Sequence, residues 1–195
     1  MLNIVNYLSE RELFKVLDKY TVSEIATHGK KVSSCALRLF DSLNTFCDVK
    51  SEERNLLHYS ALLHDIGYFI NKKKHHQHTK YIILKEPLLY NIPANLRDSL
   101  AFIASGHGKS IDDSLDLYSA KERVTLLKLT SILRIADALD HKHNLQVSLE
   151  KVEMENGILN ILIKGESSNI IIKRCKQKSS LFSKIYNIPI YMECS

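Results

Sequence analysis

Leu62-Leu63-His64-Asp65-Ile66-Gly67 closes a run in which a helix beginning near Glu52 carries Leu56, Leu57, Ala61, Leu62 and Leu63. That helix delivers an adjacent imidazole and carboxylate at its C-terminal end, with Gly67 fitting as its terminator. Helical periodicity extends both ways from it. Upstream, Ile4–Lys19 reads as a first helix. Thr21 and Glu24 have capping-box spacing before a second helix carrying Ile25, Val32, Leu39, Phe40 and Leu43. Downstream, a short helix is expected over His78–Lys85, ending before Pro87. Another starts near Pro93 and runs through Leu96, Leu100 and Ile103 to Gly106, and the longest spans about Ala120–Asp140.

After His143 the period changes. Val147 and Leu149 alternate with polar neighbours, Asn156-Gly157 is a hairpin turn, and Leu159, Ile161 and Ile163 alternate after it. Ile170–Ile172 reads as a third strand, Lys178–Tyr186 as a short helix and Ile190–Met192 as a last strand. The expected architecture is mainly α. A helical bundle over residues 1–143 is followed by a small mixed α/β unit over 144–195, too small to bury a core alone and so packed on the bundle.

Composition agrees with a globular chain: 195 residues, 45% hydrophobic and 25% charged, which excludes disorder, a collagen repeat and a disulfide scaffold. No apolar run is long enough to span a bilayer, and Glu10, Arg11 and Glu12 interrupt the start before a signal peptide forms. Cys35, Cys47, Cys175 and Cys194 form no CxxC pair. Free thiols suit a reducing compartment, so a cytoplasmic location is expected. The net charge of +5 is concentrated in Lys173, Arg174, Lys176 and Lys178, with a second cluster at Lys72–Lys74. Either is ordinary as a solvated face, and no motif supports a nucleic-acid partner.

Nine histidines are present, and their placement carries the chemistry. His64 and Asp65 join four further candidates: His28 on the preceding helix, His78, His107 between Gly106 and Gly108, and Asp137 on the inward stripe of the long helix. Each has an ordinary reading. His28 fits a core histidine bound to a carbonyl, His64 a helix C-cap, and Asp137 a partner of Arg134 or Lys142. Together they require several buried polar groups to find unrelated partners, whereas one mixed imidazole–carboxylate site satisfies them all.

The order His28, His64-Asp65, Asp137 resembles the HD-domain metal-dependent phosphohydrolase superfamily, with His78 and His107 at positions that extend some members to two metals. Ala61–Gly67 followed by Phe69-Ile70-Asn71 and His75-His76-Gln77-His78, then Ser105-Gly106-His107-Gly108-Lys109-Ser110, then Leu133-Arg134-Ile135-Ala136-Asp137-Ala138-Leu139-Asp140, is similar to the C-terminal region of the exopolyphosphatase and guanosine pentaphosphate phosphatase family. So is the tail with Leu181-Phe182 and Tyr186. The N-terminal actin/hexokinase-like domains of that family have no counterpart in this chain, nor do their glycine-rich phosphate loops.

The resemblance implies a metal-dependent phosphohydrolase. His28, His64, Asp65 and Asp137 would hold one divalent ion, and Asp65 would bridge to a second held by His78 and His107. Manganese, iron or zinc suits the ligands, with magnesium also admitted. The ion activates a water toward a nucleotide or other phosphate ester. Asp65 and Lys109 are the expected catalytic residues, with Lys30 or Lys31 as further phosphate contacts and Asp140 behind the ligands. His75 and His76 stand as alternatives to His78, which is preferred because it opens the next helix. Expected partners are a phosphate-containing small molecule or polyphosphate, and a second copy of the chain, with no membrane. The rival reading is a noncatalytic accessory module that binds polyphosphate, nucleotide or protein.

Overall fold

A computed structural model describes residues 1–43, 46, 50–108, 110–141, 147–166 and 168–195. Six α-helices come first: α1 (Glu10–Tyr20), α2 (Ser23–Ser42), α3 (Ser51–Leu63), α4 (His75–Lys85), α5 (Ala94–Ser105) and α6 (Ala120–Leu139). Strands β1 (Val147–Glu155) and β2 (Ile158–Gly165), helices α7 (Ser168–Lys178) and α8 (Ser180–Tyr186), and strand β3 (Ile190–Cys194) follow. The mainly α architecture with a small α/β part is as expected. The expected boundary at residues 143 and 144 falls among residues outside those described.

Local chemistry sets the helix ends. Ser9 with Glu12, and Ser119 with Glu122, form complete capping boxes that start α1 and α6. Thr21 does not cap α2. Its hydroxyl donates to the Leu17 carbonyl and closes α1, while the Ser9 cap at the other end divides the expected first helix into a 3-10 turn at Ile4–Asn6 and α1. The core is continuous, running from Ile4 and Leu8 through Leu57, Phe102 and Leu133 to Ile163, Phe182 and Met192. Burial on this scale is the main stabilising term.

In the sheet, β1 pairs antiparallel with β2, and β2 pairs parallel with β3. Asn156 (φ 50°) and Gly157 (φ 76°) both adopt the left-handed backbone that a two-residue hairpin turn demands. Ile170–Ile172 is not a strand but the first half of α7. A helix turns Ile171 and Cys175 onto one face, where both are buried and the Cys175 thiol meets the Ile135 carbonyl of α6. The β-branched run was outvoted by that tertiary contact. Across the other junction, Arg38 of α2 donates to the carbonyls of Leu149 and Glu150, tying β1 to the bundle. Among the described residues no helix is long and apolar enough to cross a membrane.

Candidate metal centre

α3 ends at Leu63, so His64 and Asp65 leave the helix together and turn into a 3-10 segment at Ile66–Phe69. Buried Thr79 of α4 locks that turn. Its hydroxyl donates to the His64 carbonyl at 2.8 Å and accepts from the Gly67 amide at 3.0 Å. Gly67 does not act as a helix terminator. A Cβ there would stand 2.0 Å from the His75 carbonyl oxygen, so its role is close approach of two backbones. That approach seats the start of α4 beside Asp65.

Two groups of donors result, and they share Asp65: His28, His64 and Asp65, and Asp65, His75 and His107. In the first, His28 Nε2 and His64 Nε2 are 3.2 Å apart, and they lie 3.7 and 3.5 Å from Asp65 Oδ2. Asp137 Oδ1 flanks this pair at 3.7 and 3.9 Å. In the second, His75 Nε2 and His107 Nε2 are 2.8 Å apart and stand 3.3 and 3.5 Å from Asp65 Oδ1.

All four histidines face inward the same way because their other nitrogens are engaged. His64 Nδ1 donates to the Ala61 carbonyl, His107 Nδ1 to Ala104, His75 Nδ1 to Lys72 and His28 Nδ1 to the Asp140 carboxylate. A neutral imidazole that donates from Nδ1 bears a lone pair on Nε2. Two such lone pairs facing each other at 2.8–3.2 Å repel unless a proton or a cation lies between them. Two atoms bound at about 2.1 Å to one ion, at angles between right and tetrahedral, are about 3.0–3.4 Å apart. The donor types suit a divalent ion in each group; the 3.2 Å between the His28 and His64 nitrogens lies in that range, and the 2.8 Å between those of His75 and His107 lies just under it.

Electrostatics differ across the centre. Burial disfavours a charged His28, but hydrogen bonds to Asp137 and Asp140 outweigh it and push its pKa up to about 9. Burial, with the neighbouring His64, drives His107 down to about 4. Asp65 is buried and Asp137 largely so, which alone would favour their neutral forms. The surrounding imidazoles, and Lys178 beside Asp137, reverse this and hold both below the usual carboxylate range. Asp140, behind His28, is also held low despite burial, by His28 and by Lys31 at 3.0 Å.

The structure thus brings together His28, His64, Asp65, His107 and Asp137. His78 belongs to neither group; His75 occupies the place expected for it. His75 is the first residue of α4, stacked on Tyr68 with ring centroids 4.3 Å apart. Three residues on, His78 is carried about 4.5 Å further along the helix axis. Arg134 is not a partner of Asp137. It donates to the Gly106 and Ser110 carbonyls and fixes the loop bearing His107. Lys31 serves Asp140, and Lys30 lies over the Phe14 ring. Lys109, Lys142, Cys47 and His143 lie outside the described residues.

One residue of the centre was missed by the sequence reading. Lys178, the last residue of α7, donates to the His107 carbonyl at 2.5 Å and stands 3.9 Å from Asp137 Oδ2. It was legible only as one of a basic group. A polar cavity of about 130 Å³ lies beside the second donor group, lined among others by His76, Lys80, Ser110 and Asp112.

A family model described as Ppx/GppA phosphatase, domain III, matches residues 10–174. That range holds every member of both donor groups, while Lys178, α8 and β3 follow it. No curated protein matches the chain.

Proposed function

The chain belongs to the Ppx/GppA phosphatase, domain III family, and from that premise we propose that it is a metal-dependent phosphohydrolase of the HD-domain kind, acting on a nucleotide or other phosphate ester. The observation that carries this reading is the inward convergence of four Nε2 atoms on the carboxylates of Asp65 and Asp137, with all four Nδ1 atoms engaged elsewhere.

His28, His64, Asp65 and Asp137 would hold one ion, and Asp65, His75 and His107 a second. Manganese, iron and zinc match the donors, and magnesium is admitted. When bound, such an ion supplies Lewis acidity at a phosphoryl oxygen and an acidified water. The chain's own contribution is orientation. Asp140 and the Ala61, Ala104 and Lys72 carbonyls fix each ring, and Asp65 spans both groups. Burial of these residues lowers the local dielectric and strengthens every charge interaction with a phosphate.

A second reading is favoured by one fact: the matched family describes one domain of a phosphatase. On that reading the chain is a noncatalytic module that binds polyphosphate, nucleotide or a protein partner.

The test is metal content by elemental mass spectrometry, on protein purified without a chelating tag, followed by hydrolysis assays on nucleotides and phosphate esters. About two equivalents per chain, depleted in His64→Ala and reduced by one in His107→Ala, with metal-dependent hydrolysis, is the expected result. No metal above background after reconstitution with manganese, iron or zinc overturns the hydrolase. Bound metal without hydrolysis of any phosphate ester selects the binding module.

A further inference from the structure

We propose that the polar cavity beside the second donor group seats the alcohol part of the substrate, and that this part is small and polyhydroxylated. The substrate is then a sugar phosphate rather than an ester of an apolar alcohol. The inference rests on the phosphohydrolase reading and names the substrate class at that site.

Position comes first. The cavity of about 130 Å³ lies between α4 and the loop after α5. Its wall holds His76, next in the chain to the donor His75, and Gly106, next to the donor His107. The His76 ring stands edge-on to both donor rings, with centroids 5.8 and 6.5 Å away. A group bonded through oxygen to a phosphorus at His75 and His107 is thus separated from the cavity by the width of one imidazole. Size sets what the cavity takes. Pockets for whole drug-sized ligands run to about 300–1,000 Å³, so this one holds a piece of a few carbons and not a nucleoside.

The second observation is the chemistry of the walls. Every lining side chain is polar. Gln77, Ser110 and the His76 ring make no side-chain hydrogen bond among the described residues. Lys80 and Asp112 do, with each other at 2.8 Å, and the other Asp112 oxygen accepts from the Ser114 amide at 2.9 Å.

Charge narrows the ligand. Among the described lining residues Lys80 is the only lysine or arginine and Asp112 the only carboxylate, and the two cancel. A neutral wall offers little to a further phosphoryl group. It suits hydroxyls, which donate to a carboxylate or a ring nitrogen and accept from an amide or an ammonium. Neighbouring hydroxyls of a sugar meet several such groups at once. An alkyl or aryl alcohol in the same space strips those groups of water and returns no hydrogen bond.

The experiment is calorimetric titration of the full metal-loaded chain with the phosphonate analogues of ribose 5-phosphate and of pentyl phosphate, whose carbon–phosphorus bonds resist hydrolysis. Metal content and thermal melting are measured in every sample. Wild type is expected to bind the ribose compound at least ~10-fold more tightly, the work of a pair of net hydrogen bonds. Gln77→Leu combined with Ser110→Ala should cut that preference to about 2–3-fold. Both side chains are unbonded within the protein, so the fold and the metal should survive the change. Equal affinity for the two compounds in wild type overturns the subsite. So does binding of neither, or a preference that survives the double change, which places the recognition of hydroxyls elsewhere. Hydrolysis assays separate the two readings. Turnover of phosphate esters without the preference keeps the hydrolase and ends the subsite, and the preference without turnover does the reverse. A chain that takes up no metal ends the hydrolase, and the same titration of that chain then decides the subsite by the same outcomes.

Discussion

The two donor groups share one carboxylate and differ in how they are held. His28 and His64 are fully buried, joined across α2 and α3, and backed by Asp140 and Lys31 from the far side. His75 is 22% exposed, stands at the first position of α4 and is oriented by a carbonyl three residues earlier. The first half is fixed by contacts between distant parts of the chain. In the second, His107 is held by distant contacts through Arg134 and Lys178, and His75 depends on the close approach of backbones at Gly67. A half that is pre-formed loses little entropy when it takes an ion, and a half at a helix start has more to lose. The first ion should therefore be the tight one and the second the exchangeable one.

The sharpest break is at the shared residue. Asp65→Ala should take metal content from about two equivalents to near none, because both groups lose their bridging anion. Retention of one full equivalent shows that the halves are independent. Gly67→Ala should come next. The added Cβ must displace the His75 backbone, which is expected to cost about 3 kcal/mol in a denaturant melt and to release the second ion while the first stays. His75→Ala should remove one equivalent with little loss of stability, and His78→Ala none. The reverse result would move α4 by a turn. Asp140→Ala should weaken the first ion about 10–100-fold and leave the second unchanged, by competition with a metal indicator.

The smallest effect is read by pH in the chelated chain, and its sign differs between the halves. His28 has a folded pKa near 9, above its ordinary 6.5. Its contribution is complete below pH 6.5 and fades as pH rises toward 9. His107 is lowered to about 4, so stability is lost as pH falls from 6.5 toward 4, where the unfolded chain takes up the proton first. Thermal melts from pH 4 to 9 should fall at both ends. His28→Gln should flatten the alkaline arm alone, and a change in the acid arm instead would undo the distinction.

The contrast also explains what could be read from the chain. The helix ending in His64-Asp65, the long α6 and the Asn156-Gly157 hairpin announce themselves through periodicity and turn chemistry, both local. The choice among His75, His76 and His78 is not local. Three histidines within four residues share composition and neighbourhood, and only the seat of α4 on Gly67 separates them. Ile170–Ile172 has strand composition, and its helical state comes from packing on α6. Lys178 reaches a carbonyl 71 residues earlier, a relation with no signature in spacing. The Ser9 and Glu12 capping box carries a local signature too, and it starts α1 at Glu10 rather than at Ile4.

The bond between His28 and Asp140 spans 112 residues, and that span gives the centre a place in time. The entropy of closing so long a loop must be met before the contact returns anything. On a ribosome, α2 emerges long before α6, and α7 later still. Helices and the hairpin can form early from neighbours in sequence, whereas the ion-binding geometry arises only when the ends of the bundle have met. Metal uptake during refolding is therefore expected to report the last step of chain assembly.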